Sequence, residues 1–147
     1  MSISSPIEQA HPADVAFGAR DLNEKQQAIL EKLPEYGSQA FVNKRDASML
    51  DLAALTAKTG DEFTMFTRKG KRLIVRGNAK RVPVYIDDAE EMRSEGYRWS
   101  GHTHAGFTDA SLVVSNGDRR ILVVFGQSSS VIYKAAGRRG MVTLGED

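Results

Sequence analysis

The chain has 147 residues, a length typical of one domain, and 41% of them are hydrophobic, which is enough to form a core. Its 20 Lys and Arg residues nearly balance 19 Asp and Glu residues, so net charge gives no argument for binding nucleic acid or an anionic membrane. Because the chain has no cysteine, disulfides, thiolate metal sites and cysteine nucleophiles are excluded. Because it has only three histidines, carboxylates would have to complete any metal site.

The first 20 residues contain Ser, Pro, Gly and Ala without periodicity. We therefore expect a loosely ordered arm over residues 1–20 and a single domain over residues 21–147. The sequence contains neither a secretory signal nor the roughly 20 consecutive apolar residues of a membrane span. These features predict a soluble, cytoplasmic protein that does not contact a membrane.

Two helices are predicted in the first half of the domain. One is capped by Asn23 and ends before Pro34, and a more strongly apolar one is capped by Asp46 or Ser48 and ends at Gly60. Strands are predicted where β-branched and aromatic residues lie between turn residues. The runs concerned are SQAFVNK, the hairpin EFTMFT–RKGK–RLIVRG closed by Gly70, and RVPVYID, which Pro83 assigns to an edge.

The second half continues with a short polar helix, DDAEEMRSEG, and a strand, YRWSGH. The next segment, SNGDRRILVVFGQ, begins with a capping-box spacing and predicts a helix, although RRILVVF alone also fits a strand. A terminal hairpin turns at AGRRG. The outline is α+β, with a mostly antiparallel sheet flanked by helices.

Two of the three histidines stand at alternate positions, His102 and His104, directly after Gly101. Alternate side chains of a strand share one face, so both rings can bind one ion while Thr103 points away. Two surface or hydrogen-bonded histidines are the alternative, because H-x-H alone is a weak signal. GHTH is also similar to the last metal motif of calcineurin-type phosphoesterases, but their other histidine motifs are missing. A degenerate cupin remains open, although no later histidine completes its site.

The GHTH motif, followed by SNGD, resembles the JAB/MPN+ (JAMM) metalloprotease pattern H-x-H-P, spacer, S-x-x-D, of the prokaryotic or phage type. The resemblance covers roughly residues 40–145 and implies a JAB-like, cytidine-deaminase-like fold. It rests on His102, His104, Ser115 and Asp118, with Glu62 at the position of the family's upstream glutamate.

The pattern departs from the family at two places. Ala105 stands where the family has proline, and ten residues separate His104 from Ser115. Ser111 is an alternative to Ser115, but only Ser115 has an aspartate three residues later. Asp109 is an alternative metal ligand.

The resemblance implies that His102, His104 and Asp118 bind a Zn²⁺ ion, with Glu62 as general base and Ser115 as donor to the oxyanion. The implied activity is hydrolysis of a peptide or isopeptide bond in a protein or peptide substrate, including ubiquitin-like proteins. A non-catalytic interaction or assembly module with the same fold is the alternative. Ser115 and Asp118 could also serve only as a helix cap, and Glu62 as a solvated carboxylate.

Two basic clusters, RKGKRLIVRGNAKR and GRRG, fall on the predicted hairpins. A solvated hairpin face explains them, and a docking surface for an acidic partner or for nucleic acid is the alternative. Few aromatic residues lie between the basic ones, so we do not expect nucleic acid to be the partner.

Overall fold

The computed structural model describes residues 21–105, 116–134 and 139–143, which form an α+β fold with a mixed sheet between helices. The predicted arm over residues 1–20 lies outside this range. The helices are α1 (Glu24–Glu31), α2 (Met49–Thr59), α3 (Ile86–Ser94) and α4 (Asn116–Phe125). The strands are β1 (Gln39–Asn43), β2 (Phe63–Arg68), β3 (Lys71–Arg76), β4 (Arg98–His104), β5 (Ser129–Lys134) and β6 (Arg139–Thr143).

Side-chain caps fix the ends of the first two helices where the sequence predicts them. Asn23 accepts a hydrogen bond from the backbone of Gln26, whose side chain accepts one in return from the backbone of Asn23. Ser48, rather than Asp46, caps α2 in the same reciprocal way with Asp51. Gly60 ends α2 with a positive φ of 80°, which glycine adopts without a steric penalty.

The sheet has the strand order β1-β3-β2-β4-β5-β6. Every neighbouring pair is antiparallel except β4 and β5, which run parallel. The prediction of a mostly antiparallel sheet is therefore confirmed. A parallel pair needs a crossover connection, and α4 lies in the connection between β4 and β5. This confirms the helical interpretation of SNGDRRILVVFGQ over the strand.

Each face of the sheet is covered by two helices. On one face, α1 and α2 pack against alternate strand residues such as Phe63, Met65 and Ile74. On the other, α3 and α4 pack against a second set that includes Phe66 and Trp99. Because both faces are covered, Phe63 to Phe66 of β2 are buried at four consecutive positions, and Trp99 of β4 is buried as well.

The prediction that RVPVYID forms an edge strand is wrong, because residues 77–85 form no regular element. The chain leaves the sheet at Gly77, where an added Cβ would lie 2.1 Å from the carbonyl oxygen of Arg81. Asn78 then accepts hydrogen bonds from the backbone of Lys80 and Arg81 through its side chain, which closes a local turn. Pro83 has no amide proton to offer a neighbouring strand.

The glycine before the histidine pair is required by the close approach of β5. A Cβ at Gly101 would lie 2.6 Å from the carbonyl oxygen of Val131 and 3.2 Å from the end of Met49. We expect Gly101→Ala to lower the free energy of unfolding by about 1–3 kcal/mol, since a strand paired on both sides cannot move aside freely. Urea denaturation measures this cost. The matched control is Gly70→Ala, where the added Cβ meets nothing within 4 Å. Equal losses in the two variants would contradict the steric explanation.

None of the helices in the described part of the chain has the length and the apolar character needed to cross a membrane.

Candidate metal centre

His102 and His104 lie at the carboxyl end of β4 and share one face of the sheet. Between them, Thr103 points to the opposite face, where it is completely buried. Its hydroxyl accepts a hydrogen bond from the backbone of Phe63 at 2.8 Å and lies 2.6 Å from the hydroxyl of Thr56 on α2. These contacts fix the rotation of β4, and therefore the direction in which both imidazoles point.

Asp118 reaches the histidines because of the crossover connection. A helix that joins two parallel strands begins near the carboxyl end of the first strand. Asp118 is the third residue of α4 and its carboxylate faces both rings. The distance from His102 Nε2 to Asp118 Oδ1 is 3.2 Å, and that from His104 Nε2 to Asp118 Oδ2 is 3.8 Å. The two Nε2 atoms are 3.0 Å apart.

These distances are short enough for the three side chains to bind one metal ion. Ligand atoms bound at about 2.0–2.1 Å in tetrahedral geometry are about 3.3 Å from one another. The Nε2–Nε2 separation of 3.0 Å and the separation of 3.2 Å between His102 Nε2 and Asp118 Oδ1 are close to that value, whereas the 3.8 Å from His104 Nε2 is measured to the other carboxylate oxygen, Oδ2. The donor set of two imidazoles and one carboxylate suits zinc among other divalent ions. The group of His102, His104 and Asp118 can therefore hold one metal ion.

Trp99 holds the ring of His102 in place by stacking. The ring centroids are 5.0 Å apart and the ring planes are inclined by 23°. Trp99 is itself oriented by a hydrogen bond from its Nε1 to the hydroxyl of Thr64, which donates to the carbonyl of Gly101. The Nδ1 atom of His102 is buried and has no hydrogen-bond partner among the described residues. Stacking therefore does the orienting that a hydrogen bond to the second nitrogen commonly does in metal-binding histidines.

Glu62 lies beside this group, immediately before β2. Its backbone is anchored to the segment after β3, donating to the carbonyl of Asn78 and accepting from the amide of Gly77. Burial, reinforced by the negative charge of Asp118, raises the pKa of the Glu62 carboxyl to about 8. A divalent cation bound by Asp118 and the histidines would oppose both effects and favour the ionised carboxylate. Glu62 is thus placed to exchange a proton near neutral pH.

The raised pKa of Glu62 predicts a pH-dependent stability for the metal-free chain. The folded chain keeps this proton up to about pH 8, whereas the unfolded chain releases it near its usual pKa of 4.5. Stability is therefore lost as the pH rises through this interval. Glu62→Gln stays neutral, so its gain in the free energy of unfolding should grow from near zero at about pH 4 to at least about 1.4 kcal/mol at about pH 9.

Urea denaturation of the chelator-treated chain at several pH values measures this gain. Glu90→Gln is the control, because Glu90 is exposed on α3. A gain for Glu62→Gln that does not change between pH 4 and pH 9 would show that the Glu62 carboxyl is not held in its neutral form.

The candidate ligands His102, His104 and Asp118 line a cleft of about 490 Å³. The floor includes Thr64, Phe66 and Trp99, one side is formed by the segment from Lys80 to Ile86, and another side by α4. Glu62, both histidines and Asp118 all line this cleft. The candidate ligands and the candidate base therefore line the same cleft.

The structure brings four of the five predicted site residues to this cleft: Glu62, His102, His104 and Asp118. The fifth, Ser115, lies outside the described residues, as do the alternatives Ser111 and Asp109. The sequence did not reveal the part played by Trp99 and Thr64. Nor did it reveal the wall formed by residues 80–86, because these residues were assigned to a strand.

No protein-family model, no curated protein and no solved structure matches the chain.

Proposed function

We propose that the chain is a zinc-dependent peptidase or isopeptidase with a JAB-like fold, related to the JAB/MPN+ metalloproteases that its H-x-H and S-x-x-D motifs resemble. The observation that carries the proposal is the convergence of His102 Nε2, His104 Nε2 and the Asp118 carboxylate, at separations of 3.0 to 3.8 Å, beside a half-buried Glu62. Three protein ligands in an open cleft are typical of a catalytic zinc site, since a structural site is closed by four.

The chemistry follows from the residues that face the cleft. His102, His104 and Asp118 would hold the zinc ion, which would supply Lewis-acid activation of a water molecule near neutral pH. Glu62 accepts the proton of the attacking water and then delivers it to the nitrogen of the leaving amine. The water oxygen bonds to the carbonyl carbon as the carbon–nitrogen bond breaks. Ser115 is the proposed hydrogen-bond donor to the carbonyl oxygen as its charge develops.

The surroundings of the site support this role for Glu62. Its carboxyl makes no hydrogen bond and no ion pair with any residue in the described ranges, so it is free to take up a proton from water. Its backbone is held by hydrogen bonds to Gly77 and Asn78, which keeps the carboxyl at the cleft. A surface carboxylate that only improves solubility would not be half-buried beside a second carboxylate whose charge helps to raise its pKa.

Zinc-loaded and chelator-treated samples of the full chain test the proposal. Each is incubated with polyubiquitin and with a peptide library prepared from a bacterial proteome, and new amino termini and released chains are identified by mass spectrometry. We expect cleavage that requires zinc and returns when zinc is added back. Stoichiometric zinc without any cleavage would overturn the hydrolase and favour a non-catalytic module. Failure to bind zinc would overturn the metal centre itself.

A further inference from the structure

The cleft lined by His102, His104 and Asp118 carries positive charge on its rim. Lys80 and Arg81 come from the irregular segment after β3, and Arg120 comes from α4. All three side chains are exposed. None of them forms a salt bridge with a residue of the described ranges, although three acidic side chains elsewhere in those ranges are paired with Lys or Arg.

Acidic residues are scarce in the same cleft. Among the described residues that line it, only Glu62 and Asp118 are acidic, and the proposed mechanism uses both. Asp118 faces the histidines, and Glu62 is half-buried. The positive charge of the rim is therefore not paired with an acidic side chain of the described residues and is available to a bound molecule.

Apolar and aromatic groups lie between these cations. Val82, Val84 and Ile86 line the same segment as Lys80 and Arg81, and Ile121 lies next to Arg120 on α4. Tyr85 also lines the cleft and is 67% exposed, which is high for a large aromatic side chain. A bound segment would thus meet apolar surface along its length and positive charge at its edges.

We propose that the cleft selects peptide segments that carry Asp or Glu side chains close to the bond that is cleaved. This inference rests on the proposed peptidase function and adds its substrate class. Opposite charges across an interface mainly set specificity and association rate, so acidic segments should bind faster and more tightly than neutral ones of the same length. The attraction should weaken at high ionic strength, because the cations are exposed to solvent.

A nucleic acid would also be attracted to positive charge. Peptide is favoured because the described residues place three cations on the rim rather than an extended basic face, and because the whole chain carries a formal charge of only +1. The experiment includes a single-stranded oligonucleotide so that this alternative is tested directly.

Binding is measured first, without hydrolysis. Fluorescein-labelled dodecapeptides with four Glu, four Gln or four Lys residues in an Ala, Leu and Gly background are titrated with the chelator-treated full chain, as is an oligothymidine of equal length. We expect the Glu peptide to bind at least about tenfold more tightly than the Gln peptide, and the Lys peptide to bind most weakly. Equal affinity for the three peptides, or tightest binding of the oligonucleotide, would overturn the inference.

The double variant Arg81→Glu with Arg120→Glu changes one cation on each of two sides of the cleft. It should remove the preference for the Glu peptide while leaving zinc content unchanged. Lys69→Glu with Lys71→Glu makes the same change of charge on exposed residues of the β2–β3 hairpin that do not line the cleft, and should keep the preference. If the control lowers the preference equally, net charge rather than the cleft is responsible, and the inference fails.

The positions of the cleavage sites distinguish a failure of this inference from a failure of the proposed peptidase function. In the proteome library, we expect Asp and Glu to be enriched within a few positions of the new termini. Zinc-dependent cleavage without this enrichment would overturn the substrate class and leave the peptidase intact. Selective binding of the Glu peptide without any cleavage would instead overturn the peptidase and leave an acidic-peptide binding site.

Discussion

Glu62→Gln should keep its zinc and lose most of its hydrolytic activity, with kcat reduced about 10²–10⁴-fold, the usual contribution of a general base. Glutamine has nearly the same shape as glutamate but cannot accept the proton of the attacking water. Zinc content by elemental analysis and initial rates on a substrate from the peptide library measure the two properties separately.

The dependence of activity on pH provides a second test of the role of Glu62. The native chain should gain activity as Glu62 ionises, and this limb of the profile should be missing from the residual activity of Glu62→Gln. Glu90→Gln, an exposed carboxylate on α3, serves as the control and should behave like the native chain. Full activity in zinc-loaded Glu62→Gln would show that another group accepts the proton.

His104→Ala should weaken zinc binding more than about 100-fold and abolish hydrolysis, because loss of a group that only orients a ligand already costs about 10–100-fold in affinity. His104 is the better histidine to replace, since its side chain lies at the end of β4 and is 16% exposed. His102 packs against Trp99, so its removal would leave a cavity in the core.

Competition with a fluorescent zinc chelator gives the affinities of the native chain and of two single-histidine variants. His11→Ala removes the third histidine of the chain and is the matched control, for which we expect unchanged affinity. Thermal unfolding of the metal-free proteins checks that His104→Ala still folds. A folded His104→Ala protein that binds zinc as tightly as the native chain would remove His104 from the ligand set.

Features set by neighbouring residues could be predicted from the sequence. The caps at Asn23 and Ser48 and the termination at Gly60 depend on residues within one turn of each helix end, and the structure has them where the sequence places them. The same holds for the β2–β3 hairpin, whose turn contains Gly70. The histidine pair and Asp118 belong to short motifs, so their types and spacing could be read before the fold was known.

Features that depend on distant contacts could not be predicted in the same way. RVPVYID alternates like an edge strand, but the turn at Gly77 and Asn78 carries it out of the sheet and makes it a wall of the cleft. The parallel pairing of β4 with β5 was also not predicted, although it explains why Asp118 reaches the histidines.

The environment of Glu62 shows the same limit. Its position 40 residues before His102 could be matched to a motif, but its raised pKa depends on burial and on Asp118, which the chain brings close only through β2, β4 and α4. Stacking of Trp99 on His102 likewise needs the positions of both rings, which sequence spacing alone does not give.

X-ray absorption at the zinc edge tests the central claim most directly, because it reports the ligands of the metal in the native chain. We expect one zinc ion per chain, with two imidazoles and oxygen ligands at about 2.0–2.1 Å. The imidazole signal should fall to one ring in His104→Ala supplied with excess zinc. A spectrum of oxygen ligands alone, or the same two-imidazole signal in His104→Ala, would contradict a metal centre formed by His102, His104 and Asp118.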